Sequence, residues 1–396
     1  MATRIRHDLD LALDPHALAA TLQPLEHATM LPPASFADPS VLDWELENLF
    51  AGWVCFGHVS SVTEPGSYLM RELGRSSVFV ITGDDGEPRA FLNACRHRGS
   101  RLVQESEGSV RRRLRCPYHA WSYDLDGSLA AAPHMDGVED FDRSCFGLLE
   151  VRSTVVGGLV LVDLSGESPD PAAHVGELAD LLELYRLASL ARVEGRSYEV
   201  EANWKAIAEN YNECLHCPGV HPELNALSDY RSGESVEGAG AWCGGSMRLN
   251  EGAETMGRGE GRASARPPIE GLPADEVDAV YYFALFPNAL LSLHPDYVML
   301  HTLWPREVDR TEVVCEWFFE PATIARADFD PSDAVDFWDQ VNREDWRVCE
   351  LTQKGVRTRG YVPGRYSAEE SDVHAFDAMV AERYMEALNG SEEVAA

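Results

Sequence analysis

Hydrophobic and polar residues alternate over short distances in the first part of the chain. Between residues 41 and 165, segments rich in β-branched and aromatic residues are separated by turns that contain Gly and Asp. Such segments predict β-strands, here at Ser77–Ile81, Arg89–Asn93 and Leu159–Asp163. The pattern therefore predicts an all-β domain over residues 41–165, preceded by a mostly helical arm over residues 1–40.

The pattern changes over residues 166–396, where helical and strand periods are mixed. Apolar residues at three- and four-residue spacing predict helices at Asn203–His216 and Asp333–Lys354, and Val175–Leu190 predicts a helical linker. The Gly-, Glu-, Arg- and Ser-rich stretch Gly238–Pro268 predicts a long mobile loop or an excursion over a pocket. Four strands are predicted, at Val280–Phe286, Leu290–Leu293, Val298–Trp304 and Thr311–Glu320.

Length and composition narrow the classes of function. A chain of 396 residues with 45% hydrophobic residues suits two domains. Its formal net charge of -33 repels nucleic acid and anionic membranes, so we expect neither as a partner. No apolar run approaches the roughly 18 residues of a membrane span, and no secretory signal is visible. Nine cysteines in a large chain predict free thiols in a reducing cytoplasm rather than a disulfide framework.

Two short motifs each contain one cysteine and one histidine. They are Cys95-x-His97 and Cys116-x2-His119. Two thiolates for one iron and two neutral imidazoles for the other are the ligands of a Rieske [2Fe-2S] cluster. Tetrahedral zinc is the alternative, but zinc ligands usually come in pairs of like residues. The motifs therefore favour a one-electron cluster.

A second group of histidines follows the predicted helix Asn203–His216. His216 and His221 are five residues apart, and Pro218 lies between them. Two histidines and one carboxylate bind non-haem Fe(II) and leave coordination positions open. Taken alone this spacing is weak, because a histidine beside a proline often only packs or caps a helix.

A carboxylate for such a triad is predicted in the C-terminal helix. Asp345 is the one carboxylate on an otherwise apolar stripe, whereas Glu344 and Glu350 fall on the polar side. Burying a lone carboxylate is costly unless it is paired or binds a metal. The alternative is a surface aspartate.

These segments resemble those of a known family. FLNACRHRGS and RCPYHAWSYDLDGSL resemble the Rieske domain of aromatic-ring-hydroxylating and related non-haem iron oxygenases, in their alpha subunit. EANWKAIAENYNECLHCPGVHPEL and VNREDWRVCELTQKG resemble the iron-binding segment and the final-ligand helix of that family. The resemblance implies a [2Fe-2S] cluster on Cys95, His97, Cys116 and His119, and a mononuclear Fe(II) on His216, His221 and Asp345.

The resemblance also implies a fold, an oligomer and a role for Glu213. The fold is α+β, with an N-terminal all-β Rieske domain and a C-terminal helix-grip (START-like) catalytic domain containing an antiparallel sheet. In the family, which is expected to form homotrimers, an acidic residue at the position of Glu213 bridges an iron histidine to a cluster histidine, here His119, of a neighbouring subunit. The alternative for Glu213 is a solvated helix charge.

The implied activity is oxygenation driven by external electrons. A separate flavin/iron–sulfur reductase or a ferredoxin would deliver electrons from NAD(P)H, because the chain has no Rossmann or flavin-binding fingerprint. Dioxygen and a small-molecule substrate would react at the mononuclear iron. The alternatives are an oxygenase of aromatic or natural-product substrates and, in another class, a Rieske electron carrier without iron at His216, His221 and Asp345.

The substrate class follows from a closer resemblance. Glu213, the segment ENYNECLHC and the segment FPNALLSLHPDYVMLHTLWP resemble the choline, carnitine and betaine monooxygenases, which act on quaternary or methylated amines. Aromatic side chains bind such cations on their faces. Tyr282 and Trp317 are possible contacts, and the candidates for the substrate pocket are Tyr281, Phe283, Phe286, Tyr297 and Trp304. For at least half of these aromatic residues we expect a place in the sheet core instead.

Overall fold

The computed structural model describes residues 13–257 and 266–395, which form two compact units. One unit comprises residues 46–174 with 187–189; the other comprises the described parts of 1–45, 175–186 and 190–396. The sequence placed the boundaries at 41 and 165. It also treated residues 1–40 as a separate arm, but their described part belongs to the second unit.

Hydrogen bonds to distant residues fix this N-terminal segment in the second unit. The carbonyl oxygen of Thr21 lies 3.0 Å from Nε2 of His374, and the amide of Met30 donates to the carbonyl of Gly364 over 3.2 Å. The segment is also less helical than predicted, because only 15–21, 34–37 and the residues from 39 onward are helical. Residues 1–12 lie outside the described part of the chain.

The first unit is built from antiparallel strands, as the sequence predicted. A seven-stranded sheet has the order β1-β10-β9-β4-β3-β2-β5, and a small sheet has the order β6-β7-β8. Its core contains the buried rings of Phe79, Phe91, Trp121 and Tyr123. The strands are β1 Trp53–His58, β2 Ser67–Leu73, β3 Ser76–Thr82, β4 Pro88–Leu92, β5 Glu107–Ser109, β6 Leu114–Arg115, β7 Ser122–Tyr123, β8 Leu129–Ala131, β9 Glu150–Val156 and β10 Leu159–Asp163.

The second unit contains one antiparallel seven-stranded sheet in the order β11-β17-β16-β15-β14-β13-β12. All four strands predicted here are present, within a few residues. The strands are β11 Ala191–Val200, β12 Glu234–Ser235, β13 Trp242–Arg248, β14 Ala279–Leu285, β15 Ala289–Leu293, β16 Val298–Glu307 and β17 Arg310–Phe319.

Strand β13 corrects the prediction of a long loop over Gly238–Pro268. Its glycines suggested a loop, but Gly244 serves a close approach of two strands. A Cβ atom there would lie 2.1 Å from the carbonyl oxygen of Tyr282, and its φ of +142° also favours glycine. Residues 258–265 of the predicted loop lie outside the described residues.

The described part of the chain forms eleven α-helices, none of them long and apolar enough to span a membrane. The helix predicted at Asn203–His216 ends at Tyr211, because Asn212 caps it with a 2.8 Å bond from its Nδ2 to the carbonyl of Ala208. The helices are α1 Pro15–Thr21, α2 Ala34–Ala37, α3 Pro39–Asn48, α4 Pro171–Val175, α5 Leu178–Leu184, α6 Trp204–Tyr211, α7 Cys217–Val220, α8 Pro222–Leu227, α9 Pro321–Ile324, α10 Ser332–Val356 and α11 Ser371–Ala395.

A buried ion pair anchors α6. Lys205 Nζ lies 2.5 Å from Glu45 Oε1, and both side chains are fully buried. The second oxygen of Glu45 accepts a 2.8 Å bond from the indole of Trp204, and Tyr384 donates its hydroxyl to the first. Because removing one partner of such a pair leaves a buried charge, the network fixes the start of the segment that leads to His216.

Candidate metal centres

The two Cys/His motifs lie on loops of the first unit. Cys95 begins a turn closed by a 2.8 Å bond from the amide of Gly99, and Cys116 begins a similar turn closed over 3.1 Å by Ala120. Both thiols are buried. The rings of His97 and His119 have centroids 4.7 Å apart. The structure thus brings the two histidine rings next to each other, and the two cysteine thiols interact with each other.

The donor atoms at this place fit a metal cluster. Nδ1 of His119 is buried and has no hydrogen-bond partner among the described residues. Partial burial and the nearby charges of His97 and Arg98 lower the pKa of His119, which favours the neutral imidazole that binds metals. For Cys116, burial is outweighed by hydrogen bonds from the backbone of Tyr118 and His119, which lower the pKa of the thiol. Burial raises the pKa of the other thiol, Cys95, so only His119 and Cys116 are shifted toward the protonation states that bind metals.

The second predicted site is formed by α10 and by the residues at the two ends of α7. Potential ligand atoms of His216, His221 and Asp345 all lie within 4.8 Å of one another. Asp345 Oδ1 is 3.1 Å from His216 Nε2 and 2.7 Å from His221 Nε2. Asp345 comes from the middle of α10, and the histidines flank α7. Two imidazoles and one carboxylate with this spacing fit the facial triad of non-haem iron.

Prolines explain why the two histidines can approach each other. Pro218 and Pro222 stand in the first turns of α7 and α8, where no backbone N–H is required. His221 links the two helices with φ -122° and ψ 65°. The chain therefore turns sharply between the histidines instead of continuing the helix that the sequence predicted through His216.

Carboxylates also hold the outer nitrogens of both histidines. Glu213 Oε1 accepts a 2.5 Å bond from His216 Nδ1, and Glu344 Oε2 accepts a 2.7 Å bond from His221 Nδ1. Such partners fix the tautomer and direct Nε2 toward a metal. The sequence predicted that Glu213 and His216 lie on one face of the same helix. In the structure α6 ends before both residues, but Glu213 still contacts His216.

Glu344 was missed as a functional residue. The sequence assigned it to the polar face of α10, and its side chain is indeed partly exposed. Its contact with His221 depends on where α8 packs, which helical periodicity does not reveal. The one available signal was its position directly before the proposed ligand Asp345.

Electrostatics at the triad favour protonated histidines. Burial lowers the pKa of His216, but hydrogen bonds to Asp345 and Glu213 outweigh it and raise this pKa to about 10. Burial also opposes the charge on His221, and bonds to Asp345 and Glu344 raise its pKa overall. The pKa of Asp345 is lowered, because the two histidines outweigh its burial. A metal that binds here must displace protons.

A pH dependence of iron binding follows. Since the raised pKa of His216 keeps it protonated well above neutral pH, Fe(II) affinity should rise by at least about tenfold per pH unit between about pH 6 and pH 9, and more steeply where His221 is protonated as well. If the histidine had an ordinary pKa, the Fe(II) affinity would stop rising above about pH 7. Anaerobic chelator competition at each pH measures the slope. In Glu213→Gln the rise should level off at lower pH, and a flat profile in the native protein would contradict the prediction.

A cavity of about 610 Å³ adjoins the triad. This volume suits a small molecule. Tyr211, Tyr282 and Trp338 line it, with ring centroids 6.0 Å apart for the first pair and 6.2 Å for the second. The hydroxyl of Tyr282 is buried and has no hydrogen-bond partner among the described residues. The wall of the cavity therefore contains aromatic side chains next to the proposed iron site.

The five predicted pocket residues do not line this cavity. Neighbouring side chains of a strand point to opposite faces, so Tyr281 and Phe283 of β14 face away from Tyr282. The others are buried in the core of the unit. The observed positions are Tyr281 bonded to Glu276 over 2.9 Å, Phe283 stacked on Tyr281, Phe286 packed on Trp204, Tyr297 bonded to the carbonyl of Met256, and Trp304 bonded to Thr302 over 2.9 Å.

One disulfide departs from the expectation of free thiols. Cys214 and Cys217 are bonded, with Cα atoms 5.0 Å apart. The turn between α6 and α7 brings the two residues together, which their spacing in sequence permits. Both residues also line the cavity. The other seven cysteines are free.

Comparisons with known families agree with the two sites. The family model "Rieske [2Fe-2S] domain" matches residues 52–142, which include both Cys/His motifs. The model "Ring hydroxylating alpha subunit (catalytic domain)" matches residues 187–386, which include the triad.

Individual proteins are similar over nearly the whole chain. The chain is 30% identical to the glycine betaine monooxygenase oxygenase subunit of Chromohalobacter salexigens, over 91% of this chain and 86% of that protein. It is also 30% identical to the carnitine monooxygenase oxygenase subunit of Escherichia coli (strain K12), over 87% and 89%. The structure of the quaternary ammonium Rieske monooxygenase CntA with L-carnitine has a TM-score of 0.76, at 23% identity over 93% and 98%. At that identity the structural match shows a shared fold.

Proposed function

Since this chain belongs to the alpha-subunit family of Rieske non-haem iron oxygenases, we propose that it hydroxylates a quaternary or methylated amine on a carbon next to nitrogen. Where that carbon is an N-methyl group, the product can lose a proton and collapse to a demethylated amine and formaldehyde. One observation carries the choice of substrate: Tyr211, Tyr282 and Trp338 line the cavity beside the triad. Aromatic faces bind quaternary ammonium groups, whereas most anions would gain nothing from them.

Membership in the family also decides earlier alternatives. The chain is an oxygenase component with a Rieske [2Fe-2S] cluster and a non-haem iron, so neither a zinc knuckle nor a simple electron carrier applies. The α+β fold with a Rieske domain and an antiparallel catalytic sheet is confirmed. An oxygenase subunit implies a separate reductase and a small-molecule substrate.

The residues of this chain supply binding and orientation. Cys95, Cys116, His97 and His119 would hold the cluster, and His216, His221 and Asp345 would hold the mononuclear iron. When bound, these groups supply one-electron transfer and activation of dioxygen. Glu213 and Glu344 retain protons on the Nδ1 atoms of the two histidines and so keep both Nε2 atoms available. The aromatic wall holds the cation with its carbon near the triad.

We further propose that Glu213 connects two subunits of a homotrimer. A carboxylate that already accepts a bond from His216 has lone pairs left for His119 of a neighbouring copy. The structure of a related quaternary ammonium Rieske monooxygenase is described as giving insight into inter-subunit electron transfer. This arrangement would join the cluster of one subunit to the iron of the next.

The proposed electron donor is a flavin/iron–sulfur reductase or a ferredoxin that draws on NAD(P)H. We propose the cytoplasm as its location and that of this chain, since reduced nicotinamide is available there and four buried cysteines outside the proposed cluster, Cys55, Cys243, Cys315 and Cys349, are free.

A substrate screen tests the function. Purified protein with Fe(II), NADH and a surrogate reductase is offered methylated amines and, in parallel, aromatic compounds. We expect the methylated amines to be consumed with release of formaldehyde, and the aromatic compounds to remain unchanged. Turnover of aromatic compounds with none of amines would overturn the proposed substrate class.

The aromatic wall gives a quantitative prediction. Tyr282→Leu should raise KM for a quaternary amine by about 5- to 30-fold, because a buried cation–π contact is worth roughly 1 to 2 kcal/mol. Tyr282→Phe keeps the ring and should stay close to the native KM. Steady-state formaldehyde release measures both variants. Equal effects of Leu and Phe would assign the role to the hydroxyl instead.

The cluster assignment predicts a change in potential. His119→Cys should lower the reduction potential by on the order of 100 mV or more, because an anionic thiolate stabilises the oxidised cluster better than a neutral imidazole. Potentiometric titration followed by electron paramagnetic resonance measures it. His134→Cys is a suitable control, since His134 belongs to neither Cys/His motif. An unchanged potential in His119→Cys would remove His119 from the ligand set.

A further inference from the structure

The ligand loop, defined as residues 212–217, is closed by a bond that the reaction does not require. We propose that Cys214 and Cys217 are a reversible thiol–disulfide site, oxidised by peroxide, which retains the mononuclear iron. The proposal rests on the iron site assigned to His216 under the proposed function.

Position is the first argument. The disulfide encloses Leu215 and His216, and within the ligand loop it is accompanied by one backbone bond, 3.1 Å from the amide of Cys217 to the carbonyl oxygen of Cys214. Glu213 accepts from the amide of Leu215 and, over 2.5 Å, from His216 Nδ1. The covalent ring and the carboxylate thus restrain the same histidine from two sides.

Access is the second argument. Both cysteines line the cavity beside the triad, so a small oxidant that forms in the cavity reaches them directly. Cys217 is buried, and Cys214 is more exposed. Among the described residues the remaining cysteines are free, and Cys145 is exposed in the other unit. Exposure alone therefore does not explain which cysteines are bonded.

The chemistry balances with hydrogen peroxide, the two-electron reduction product of dioxygen. Peroxide oxidises the Cys214 thiol to a sulfenic acid and leaves one water. The Cys217 thiol then attacks this sulfur, the S–S bond forms, and a second water leaves. In total the two thiols lose two electrons and two protons, and one peroxide becomes two waters. A cellular dithiol reverses the bond by thiol–disulfide exchange.

Iron retention is the expected consequence. In the reduced state the ligand loop can open at His216, whereas the disulfide excludes most open conformations of this short segment. The triad is assembled in the oxidised state, with its potential ligand atoms within 4.8 Å of one another. Oxidation should therefore slow the loss of iron rather than cause it.

The test compares matched oxidised and reduced samples. Protein free of mononuclear iron is treated with one equivalent of hydrogen peroxide, freed of peroxide by catalase, and loaded anaerobically with Fe(II). A dithiol-reduced sample is loaded in parallel. Mass spectrometry of the peptide containing 214–217 quantifies the disulfide, and a ferrous chelator measures the rate of iron release while the cluster absorbance is monitored.

We expect a disulfide at 214–217 and iron release about tenfold slower than from the reduced sample. Cys214→Ser and Cys217→Ser should show equal rates in both states, whereas Cys145→Ser should behave like the native protein. Absence of the disulfide, or equal release rates in the native protein, overturns the proposal. If the disulfide forms but neither the oxidised nor the reduced protein binds iron, the proposed iron site is wrong, and the proposed effect on iron retention fails with it.

Discussion

Asp345→Ala should abolish product formation and leave the Rieske spectrum unchanged. Asp345 Oδ1 lies 2.7 and 3.1 Å from the Nε2 atoms of the two histidines, so its removal takes the one carboxylate from the triad. Loss of even an outer partner costs about 10- to 100-fold in affinity, and loss of a ligand should cost more. Iron analysis together with visible absorption separates the two centres, because the cluster ligands are untouched.

Two neighbouring carboxylates provide controls for Asp345. Glu344→Gln replaces the carboxylate that accepts from His221 Nδ1 with a weaker, neutral acceptor and should weaken iron binding by about 10-fold or more without abolishing activity at saturating iron. Glu350 lies outside the triad, so Glu350→Gln should leave iron binding unaltered. An active Asp345→Ala beside an inactive Glu344→Gln would move the third ligand to Glu344.

At saturating Fe(II), Glu213→Gln should keep both iron centres but slow electron transfer between them by about 10- to 100-fold. A neutral amide is a weaker acceptor than a carboxylate for two imidazole N–H groups, and it can accept through only one atom. Stopped-flow oxidation of the prereduced cluster, with substrate and oxygen present, measures the rate. Unimpaired transfer would leave Glu213 as a partner of His216 alone.

Mixed oligomers test whether the transfer crosses subunits. A Glu213→Gln subunit retains an intact cluster, and a His119→Ala subunit retains an intact Glu213. If the cluster of one subunit serves the iron of the next, mixed oligomers should be more active than either parent, of which His119→Ala is inactive and Glu213→Gln is slowed. Verified mixed oligomers without recovery would indicate transfer within one chain.

The metal sites were predictable because their residue types and spacing are demanding. Cysteine and histidine one or two residues apart leave few alternatives, and a carboxylate on an apolar stripe, such as Asp345, needs a partner. The structure brings these predicted residues together in two groups. Local pattern also sufficed for the strands β14 to β17, whose apolar runs are bounded by clear turns.

Features set by tertiary packing were not predictable in this way. The stop of α6 at Tyr211 depends on a bond made by Asn212, a residue that can equally continue a helix. The pocket residues were chosen without knowing which face of β14 meets the cavity, and a shift by one position separates Tyr281 from Tyr282. The disulfide and the contact of Glu344 depend on the path of the ligand loop and the packing of α8.

The order of the units along the chain has a consequence for biosynthesis. Residues 46–174 of the first unit are contiguous and can fold soon after they leave the ribosome. The second unit combines residues synthesised before this segment with residues synthesised after it. The ion pair of Glu45 with Lys205 can form only after Lys205 has been synthesised, and the hydrogen bond of Thr21 with His374 only after His374 has been synthesised. Until α11 has been synthesised, a nascent chain can therefore carry a mature iron–sulfur domain beside an unfinished catalytic domain, which favours insertion of the cluster before the mononuclear iron.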